Sequence, residues 1–178
     1  AFRTPAECVK LAAEDVTIKT SLLDSRFICG DQALSDEMMS KFMKEAVEGK
    51  DAEFIMDKLA ERDARHARQG DARYVVEPNI KEGKGGLRDL QTLYWIVKHI
   101  YGGETLEDVM KGGPFTRSEY TSFIRSAKFM WTVRCHLHYV TGRAEERLSF
   151  DLQPEIAARM GYRDRTGQLG VERFMKRY

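Results

Sequence analysis

One stretch dominates the sequence: Glu77–Leu90, which runs EPNIKEGKGGLRDL and continues into the apolar segment QTLYWIV of Gln91–Val97. Its three glycines, Gly83, Gly85 and Gly86, fall within four residues. Glycine allows the backbone to take a positive φ, and it also allows a ligand or another chain to come close. A helix that starts directly after such a loop turns its amide groups toward it, which suits an anion. The composition alone leaves a tight turn and a phosphate cradle as open alternatives.

The loop matches neither of the common nucleotide-binding motifs. A Walker A loop needs four residues between its first glycine and a Gly-Lys-Ser/Thr group, and this spacing is absent. In the dinucleotide fingerprint, Gly83 and Gly85 would supply the first two glycines, but Arg88 occupies the position of the third. Any phosphate site here would therefore be built differently from those motifs.

The rest of the chain carries helical patterns. Apolar residues recur at helical spacing, and two capping boxes, at Thr4 and Thr116, predict helix starts. The helix that follows the loop is apolar on nearly all sides, which predicts a central, buried helix. The best strand candidate is Arg73–Val76, which Pro78 ends or restricts to an edge. We predict a mainly α fold, a helical bundle with at most one short β element around Arg73–Ile80.

Length, charge and composition exclude several classes of protein. A chain of 178 residues suits one domain, so residues 1–178 are predicted to form a single helical domain. The formal net charge of +1 predicts no nucleic acid or anionic membrane partner, and no apolar run approaches the roughly 20 residues that span a bilayer. No signal peptide is visible, which favours the cytoplasm. Three scattered cysteines, Cys8, Cys29 and Cys135, lie on apolar helical stripes and are predicted to be reduced core residues.

Two charged features have alternative interpretations. The segment Glu61–Arg68 is either a solvated helix face or a surface whose arginines and histidine face a phosphate-bearing site. Arg134 interrupts an apolar helix face, so it must be paired if it is buried, and the favoured partners are acidic residues of the segment Arg143–Asp151. The histidines and cysteines have no metal-ligand spacing, and no nucleophile motif occurs, so the chain is predicted to hold no catalytic residue and no metal ligand of its own.

The loop closely resembles the signature of the bifunctional PII uridylyltransferase/uridylyl-removing enzymes, which modify the PII nitrogen-regulatory protein. The resemblance covers nearly the whole chain. It is carried by six segments: Glu14–Arg26, Glu61–His66, Gly70–Tyr74, Glu77–Thr92, Thr141–Leu148 and Val171–Met175. A shorter Lys-x-Gly-x-Gly-Gly core is shared with the glutamine synthetase adenylyltransferases, a related family.

This resemblance implies a place in a larger enzyme. The family's order is a nucleotidyltransferase core, a helical segment, an HD-type hydrolase domain and two ACT domains, and this chain looks like the helical segment. The absence of an initial Met, and an end inside a helical pattern, likewise predict a piece of a longer protein. The Asp-x-Asp motif of the core is missing, since Asp24 and Asp89 each stand alone. The carboxylates that hold Mg²⁺ in the full-length enzyme are therefore expected upstream, with no cofactor and little activity in this chain alone.

The resemblance also implies a supporting role for the loop. In the full enzyme a tyrosine hydroxyl of PII attacks the α-phosphorus of UTP and pyrophosphate leaves, so charge develops on phosphate oxygens. The residues suited to stabilise that charge are Lys81, Lys84 and Arg88, together with the backbone amides of Gly83, Gly85 and Gly86. Asp89 is expected to pair with Arg88 or to cap the helix.

Three other roles remain open at this point. The segment could be a docking module that binds PII or relays glutamine sensing from the ACT domains. It could be a spacer that binds neither ligand. It could also be the equivalent part of an adenylyltransferase that acts on glutamine synthetase.

Overall fold

A computed structural model describes residues 3–70, 75–103, 105, 107–109 and 113–178. The chain divides into two compact units. Unit 1 comprises Ala1–Asp63 and Thr92–Phe115, and unit 2 comprises Ala64–Gln91 and Thr116–Tyr178. Two helices, Asp51–Arg68 and Leu87–Tyr101, contribute residues to both units.

The described residues are mainly helical, as predicted. The helices are α1 (Pro5–Glu14), α2 (Val16–Leu23), α3 (Gln32–Phe42) with a π-helical continuation (Met43–Val47), α4 (Asp51–Arg68), α5 (Leu87–Tyr101), α6 (Arg117–Thr141), α7 (Gln153–Arg159) and α8 (Gly170–Arg177). No helix in this described part is both long and apolar enough to cross a bilayer.

In its described part, the predicted β element around Arg73–Ile80 forms an isolated bridge and no strand. Arg73 and Tyr74 lie outside the described residues, and Val75 and Val76 are not in a strand. The segment instead makes one isolated antiparallel bridge, between Asn79 and Arg147.

Helix starts in unit 1 follow from short polar residues that accept the first free amides. The Thr4 side chain accepts from the amide of Glu7, and the Glu7 carboxylate accepts from the amide of Thr4 in return. The Asp15 carboxylate accepts from the amides of Thr17 at 2.6 Å and Ile18 at 3.3 Å, so one helical pattern is divided into α1 and α2. Asp31 caps α3 in the same way.

The core of unit 1 contains buried polar groups beside its apolar side chains. Its buried apolar residues are Val9, Ala12, Leu23, Phe42, Ala46, Val47, Phe54 and Trp95. Lys58 is 2% exposed, and its ammonium bonds Glu61 at 2.6 Å and lies 4.6 Å from the centre of the Trp95 ring. The His99 ring stacks on Phe54 with ring centres 4.2 Å apart. The buried Lys58 ammonium is therefore both paired with a carboxylate and close to an aromatic ring.

Burial of His99 predicts a stability of unit 1 that falls in acid. Burial lowers the pKa of His99 below its usual value, although Asp51, whose Oδ1 lies 3.2 Å from Nδ1, acts in the opposite direction. In the unfolded chain His99 takes up a proton below about pH 6.5, whereas in the folded unit it does so only at a lower pH. Stability is therefore full above that pH and is lost as the pH falls below it. Urea unfolding followed by Trp95 fluorescence in a Trp131→Phe background should show this slope, and His99→Gln should flatten it; equal slopes in both proteins would contradict the assignment.

Unit 2 is built around α6. A capping box of Thr116 and Glu119 begins this helix, and Gly142, with φ +64°, ends it. Its core consists of Ile80, Leu87, Met130, Val133, Leu137, Leu148, Ile156, Ala157 and Phe174. Ile80 and Leu87 flank the glycine-rich segment, so both ends of that segment are anchored in the core of unit 2.

Arg134 is paired, which confirms the structural ion pair predicted for it. The Arg134 guanidinium forms two-pronged bonds to the Glu146 carboxylate at 2.6 to 3.1 Å, and these bonds raise the pKa of Arg134. His138 Nε2 lies 3.5 Å from the same carboxylate. Glu146 therefore ties α6 to the segment that follows it.

The cysteine prediction is half right. Cys8, Cys29 and Cys135 are free thiols, but Cys29 and Cys135 are exposed and Cys8 is only partly buried. A cysteine on an apolar stripe is buried only when a neighbouring element covers that part of the helix, and the stripe alone does not report this.

Candidate functional site

The stem of the glycine-rich segment is held by the chain that follows α6. The amide of Ile80 donates to the carbonyl of Glu146 at 2.8 Å, and the amide of Leu148 donates to the carbonyl of Pro78 at 2.9 Å. Two backbone bonds in opposite directions fix the register of the two segments. The glycine-rich segment and the Thr141–Leu148 segment, both singled out in the sequence, thus form one local structure.

Glu77 adds a side-chain link to this stem. Its carboxylate accepts from the amide of Phe150 at 2.9 Å and from the guanidinium of Arg147 at 2.7 Å. The bond from the Phe150 amide, followed by Arg147, lowers the pKa of Glu77. The carboxylate is therefore held in its charged form.

Asn79 sets the turn into the loop. Its side-chain oxygen accepts from the amides of Lys81 at 3.0 Å and Glu82 at 2.7 Å, and its carbonyl accepts from the amide of Gly83 at 3.0 Å. This is an Asx turn, in which a side chain takes the place of a backbone acceptor. The turn brings the chain back on itself before the glycines begin.

Two of the three glycines are required by close backbone approach and one by conformation. A Cβ at Gly83 would lie 2.5 Å from the carbonyl oxygen of Asn79. A Cβ at Gly86 would lie 2.7 Å from the carbonyl oxygen of Ile80. Gly85 has open space around it but a φ of +78°, which disfavours a side chain. The tight-turn alternative therefore accounts for the three glycines.

The amides of the loop are used inside the chain. The amides of Gly83, Gly85 and Gly86 donate to the Asn79 carbonyl, the Asp89 carboxylate and the Gly83 carbonyl, respectively. The first amides of α5 are used as well, because Leu87 donates to the Ile80 carbonyl and Arg88 to the Lys81 carbonyl. In this conformation an anion would be bound by side chains of the loop, with the amides holding its shape.

Asp89 is the centre of a partly buried polar cluster. Its carboxylate accepts from Arg65 Nη2 and from the amide of Gly85 at 2.7 Å, and both of its oxygens lie 3.0 Å from His66 Nε2. Arg65 is 4% exposed and His66 is 8% exposed. Asp89 thus joins α4 to the loop, which goes beyond the two roles expected for it, pairing with Arg88 or capping of the helix.

The sequence allowed two arrangements for the charged end of α4, a solvated helix face or a surface that faces a phosphate site. Arg65 and His66 are buried against a carboxylate, which is a third arrangement, whereas Arg62 forms a partly exposed ion pair with Asp63. The burial of Arg65 could have been inferred from its spacing. It lies eleven residues, or about three helical turns, after the apolar Phe54 and therefore on the same helix face. Its charge concealed that pattern.

Lys81 and Arg88 lie around Glu82. Lys81 Nζ is 3.7 Å and Arg88 Nη2 is 3.5 Å from Glu82 Oε1, and Arg65 Nε is 3.9 Å from Glu82 Oε2. Arg88 also donates to the side chain of Gln91 at 3.1 Å. Two of the predicted cations are therefore gathered at one point of the loop.

Lys84 lies in a different place, on the wall of a cleft of about 1210 Å³. Gly83, Gly85 and His66 line this cleft too, so one side of it is formed by the loop and its support. Its charged wall residues are four cations and one acid: Lys84, Arg147, Lys176, Arg177 and Glu77. The cleft has the charge to attract an anionic ligand.

Metal ligands are not gathered anywhere in the described part of the chain. No group of three or more His, Cys, Asp or Glu side chains there is arranged to hold an ion. Asp89 is fully engaged with Arg65, His66 and Gly85. The described residues therefore do not fit a Mg²⁺ site.

Comparison with known families shows to which family the chain belongs. The model of the GlnD PII-uridylyltransferase family matches residues 53–178, which include the whole loop, the Asp89 cluster and the cleft. The chain belongs to this family. The membership suggested by the glycine-rich segment is thereby confirmed.

Two curated relatives of the family are similar along the whole chain. The bifunctional uridylyltransferase/uridylyl-removing enzyme of Phenylobacterium zucineum (strain HLK1) is 59% identical over all 178 residues. The enzyme of the same name from Nitrobacter winogradskyi is 53% identical over the same length. The chain spans about a fifth of these relatives, namely 19% of each. No solved structure matches the chain.

Proposed function

We propose that this chain is the helical part of an enzyme that transfers UMP from UTP to a tyrosine of the PII regulatory protein. A uridylyl-removing activity, glutamine sensing and the Mg²⁺ that serves the nucleotidyltransferase core would belong to other parts of that enzyme. Membership of the family supports the proposal, as does the name of both relatives, which is uridylyltransferase and not adenylyltransferase.

The loop is proposed to support the nucleotide site. The observation that carries this role is the cationic cleft beside the loop, with Lys84 on its wall. Uridylyl transfer develops negative charge on the α-phosphate and on the departing pyrophosphate. Fixed cations at that point stabilise the transition state, and they act best when a rigid scaffold holds them.

Rigidity is what the remaining site residues supply. Gly83, Gly85 and Gly86 allow the tight turn, and their amides close it. Asp89 binds the turn to the buried Arg65. In this proposal Lys81, Lys84 and Arg88 face phosphate, and the glycines and Asp89 are positioning residues.

Removing one cation should slow uridylylation without unfolding the protein. In the full-length enzyme we expect Lys84→Ala, Lys81→Ala and Arg88→Ala each to lower the rate of PII uridylylation by about tenfold to a hundredfold, as for other groups that stabilise developing charge. The measurement is the initial rate of UMP incorporation into PII at saturating PII. Lys128→Ala, an exposed lysine of α6, is the matched control. Unchanged rates in all three variants, beside intact folding, would contradict the proposal.

Ligand titrations distinguish this role from docking. Weaker binding of UTP·Mg²⁺ by these variants, with PII binding unchanged, supports a nucleotide-facing loop. Weaker binding of PII with unchanged nucleotide binding would instead assign the segment to docking. If the variants bind both ligands as tightly as the unmodified enzyme, the segment acts as a spacer.

A further inference from the structure

The Glu82 carboxylate has an unusual environment. Three cationic side chains, Arg65, Lys81 and Arg88, surround it, and they come from two separate segments, α4 and the loop with the start of α5. Two guanidinium groups and an ammonium group around one point are the donor set that binds phosphate in proteins. Here a side chain of the loop itself occupies that point.

Glu82 fits this position loosely. Its distances to the three cations are 3.5, 3.7 and 3.9 Å, whereas a well-formed bond between a cation and a carboxylate is about 2.7–2.9 Å long. The same unit makes such bonds elsewhere, because Arg134 reaches Glu146 at 2.6 Å. The three cations are therefore not arranged around Glu82 as they would be around a dedicated partner.

Arg65 carries an unused donor at this point. Its side chain is only 4% exposed, and its Nε has no hydrogen-bond partner among the described residues. The Glu82 oxygen that forms an ion pair with this nitrogen is 3.9 Å away. A buried N–H without an acceptor is costly, so a ligand that supplies one gains that free energy.

Phosphate satisfies these groups better than a carboxylate does. It carries more oxygens and more charge, so it can accept from Arg65, Lys81 and Arg88 together. Glu82 is accessible enough to be replaced, since 30% of its side chain is exposed and it can turn toward solvent. We propose that Arg65, Lys81 and Arg88 form a phosphate subsite that Glu82 fills in the absence of ligand, so that Glu82 competes with the incoming phosphate group.

This inference rests on the proposed function for the source of the phosphate, which is either the UMP moiety or the departing pyrophosphate. The test is calorimetric titration of the full-length enzyme with pyrophosphate and, separately, with UMP. Glu82→Gln removes the competing charge and keeps the size of the side chain. We expect it to tighten the binding of one of the two ligands by about three- to tenfold, the range expected for a few partly exposed ion pairs. The ligand that responds identifies the source.

The matched control is Glu155→Gln, which removes a glutamate from an exposed ion pair with Arg159 in the same unit and should leave both affinities unchanged. Arg88→Ala should weaken binding, and by more in the Glu82→Gln background, because only there is the subsite empty. Glu82→Asp, which withdraws the carboxylate by one methylene, should shift affinity in the same direction as Glu82→Gln and to a smaller extent. It provides the test if Glu82→Gln fails to fold.

Unchanged or weaker binding in both Glu82 variants would overturn the inference. Slower uridylylation in Lys81→Ala, Lys84→Ala and Arg88→Ala would still leave the proposed function standing in that case. If those rates were unchanged as well, both proposals would fall.

Discussion

Replacing Asp89 by alanine is expected to destabilise unit 2 by about 3–5 kcal/mol. The substitution removes the acceptor of Arg65 and His66, which are 4% and 8% exposed. A buried cation left without its partner loses the attraction and keeps the cost of its lost hydration. The amide of Gly85 also loses its acceptor, so the loop loosens together with its support.

The two tryptophans allow unit 2 to be measured by itself. Trp131 belongs to unit 2 and Trp95 to unit 1, so urea unfolding followed by Trp131 fluorescence in a Trp95→Phe background reports on unit 2. Glu155→Ala, which breaks an exposed ion pair, is the control and should cost at most about 0.5 kcal/mol. If Asp89→Ala costs no more than this control, the cluster does not hold the loop.

A second substitution tests the reason for the loss. Arg65→Met removes the unpaired charge and keeps most of the apolar stem. In the Asp89→Ala background it should recover part of the lost stability, because a buried ion pair can be replaced by apolar groups at little cost. The coupling between the two changes, measured by a double-mutant cycle, should exceed about 1 kcal/mol.

Local features of this fold could be predicted from the sequence. The starts of α1 and α6 follow from Thr4 and Thr116, because a capping box involves only residues three apart. The position of the loop also follows from composition, since few sequences place three glycines in four residues outside a turn. These signals are local, and the forces that produce them act within one helical turn.

The bonding partners of the loop residues lie far from them in the sequence, so they could not be predicted from local patterns. Asp89 bonds Arg65 and His66, which precede it by 24 and 23 positions, and no spacing rule connects them. The cleft joins Lys84 to Arg147, Lys176 and Arg177, which come from separate parts of unit 2. A charged residue has the same appearance in a sequence whether it is solvated, paired or facing a ligand. Tertiary packing makes the difference.

The bonding partners of the glycine amides in the loop could not be predicted from the sequence either. The sequence predicted that Gly83, Gly85 and Gly86 could present amides to an anion. Asn79 and Asp89 instead provide acceptors at short range, and the loop closes on itself. Glycine content indicates that the backbone can approach something closely; it does not indicate whether that partner is a ligand or the chain itself.

Gly86→Ala is expected to destabilise unit 2 by about 3 kcal/mol or more, through overpacking and loss of backbone bonds. The added Cβ would lie 2.7, 2.8 and 3.0 Å from the carbonyl oxygens of Ile80, Gly83 and Lys81. Each of these oxygens already accepts an amide, from Leu87, Gly86 and Arg88, respectively. One methyl group therefore pushes apart the three backbone bonds that join the loop to the start of α5.

The neighbouring glycine provides the matched comparison. Gly85→Ala meets no atom within 4 Å, and its cost comes only from a φ of +78°, about 1–2 kcal/mol. Gly85→Asn should cost less, because asparagine tolerates this conformation better than alanine does. Urea unfolding of the three variants by Trp131 fluorescence should therefore rank them Gly86→Ala, Gly85→Ala and Gly85→Asn, from the largest loss to the smallest. If Gly86→Ala proves no worse than Gly85→Ala, the loop can open without cost, and the closed turn does not hold the cations of the proposed site in place.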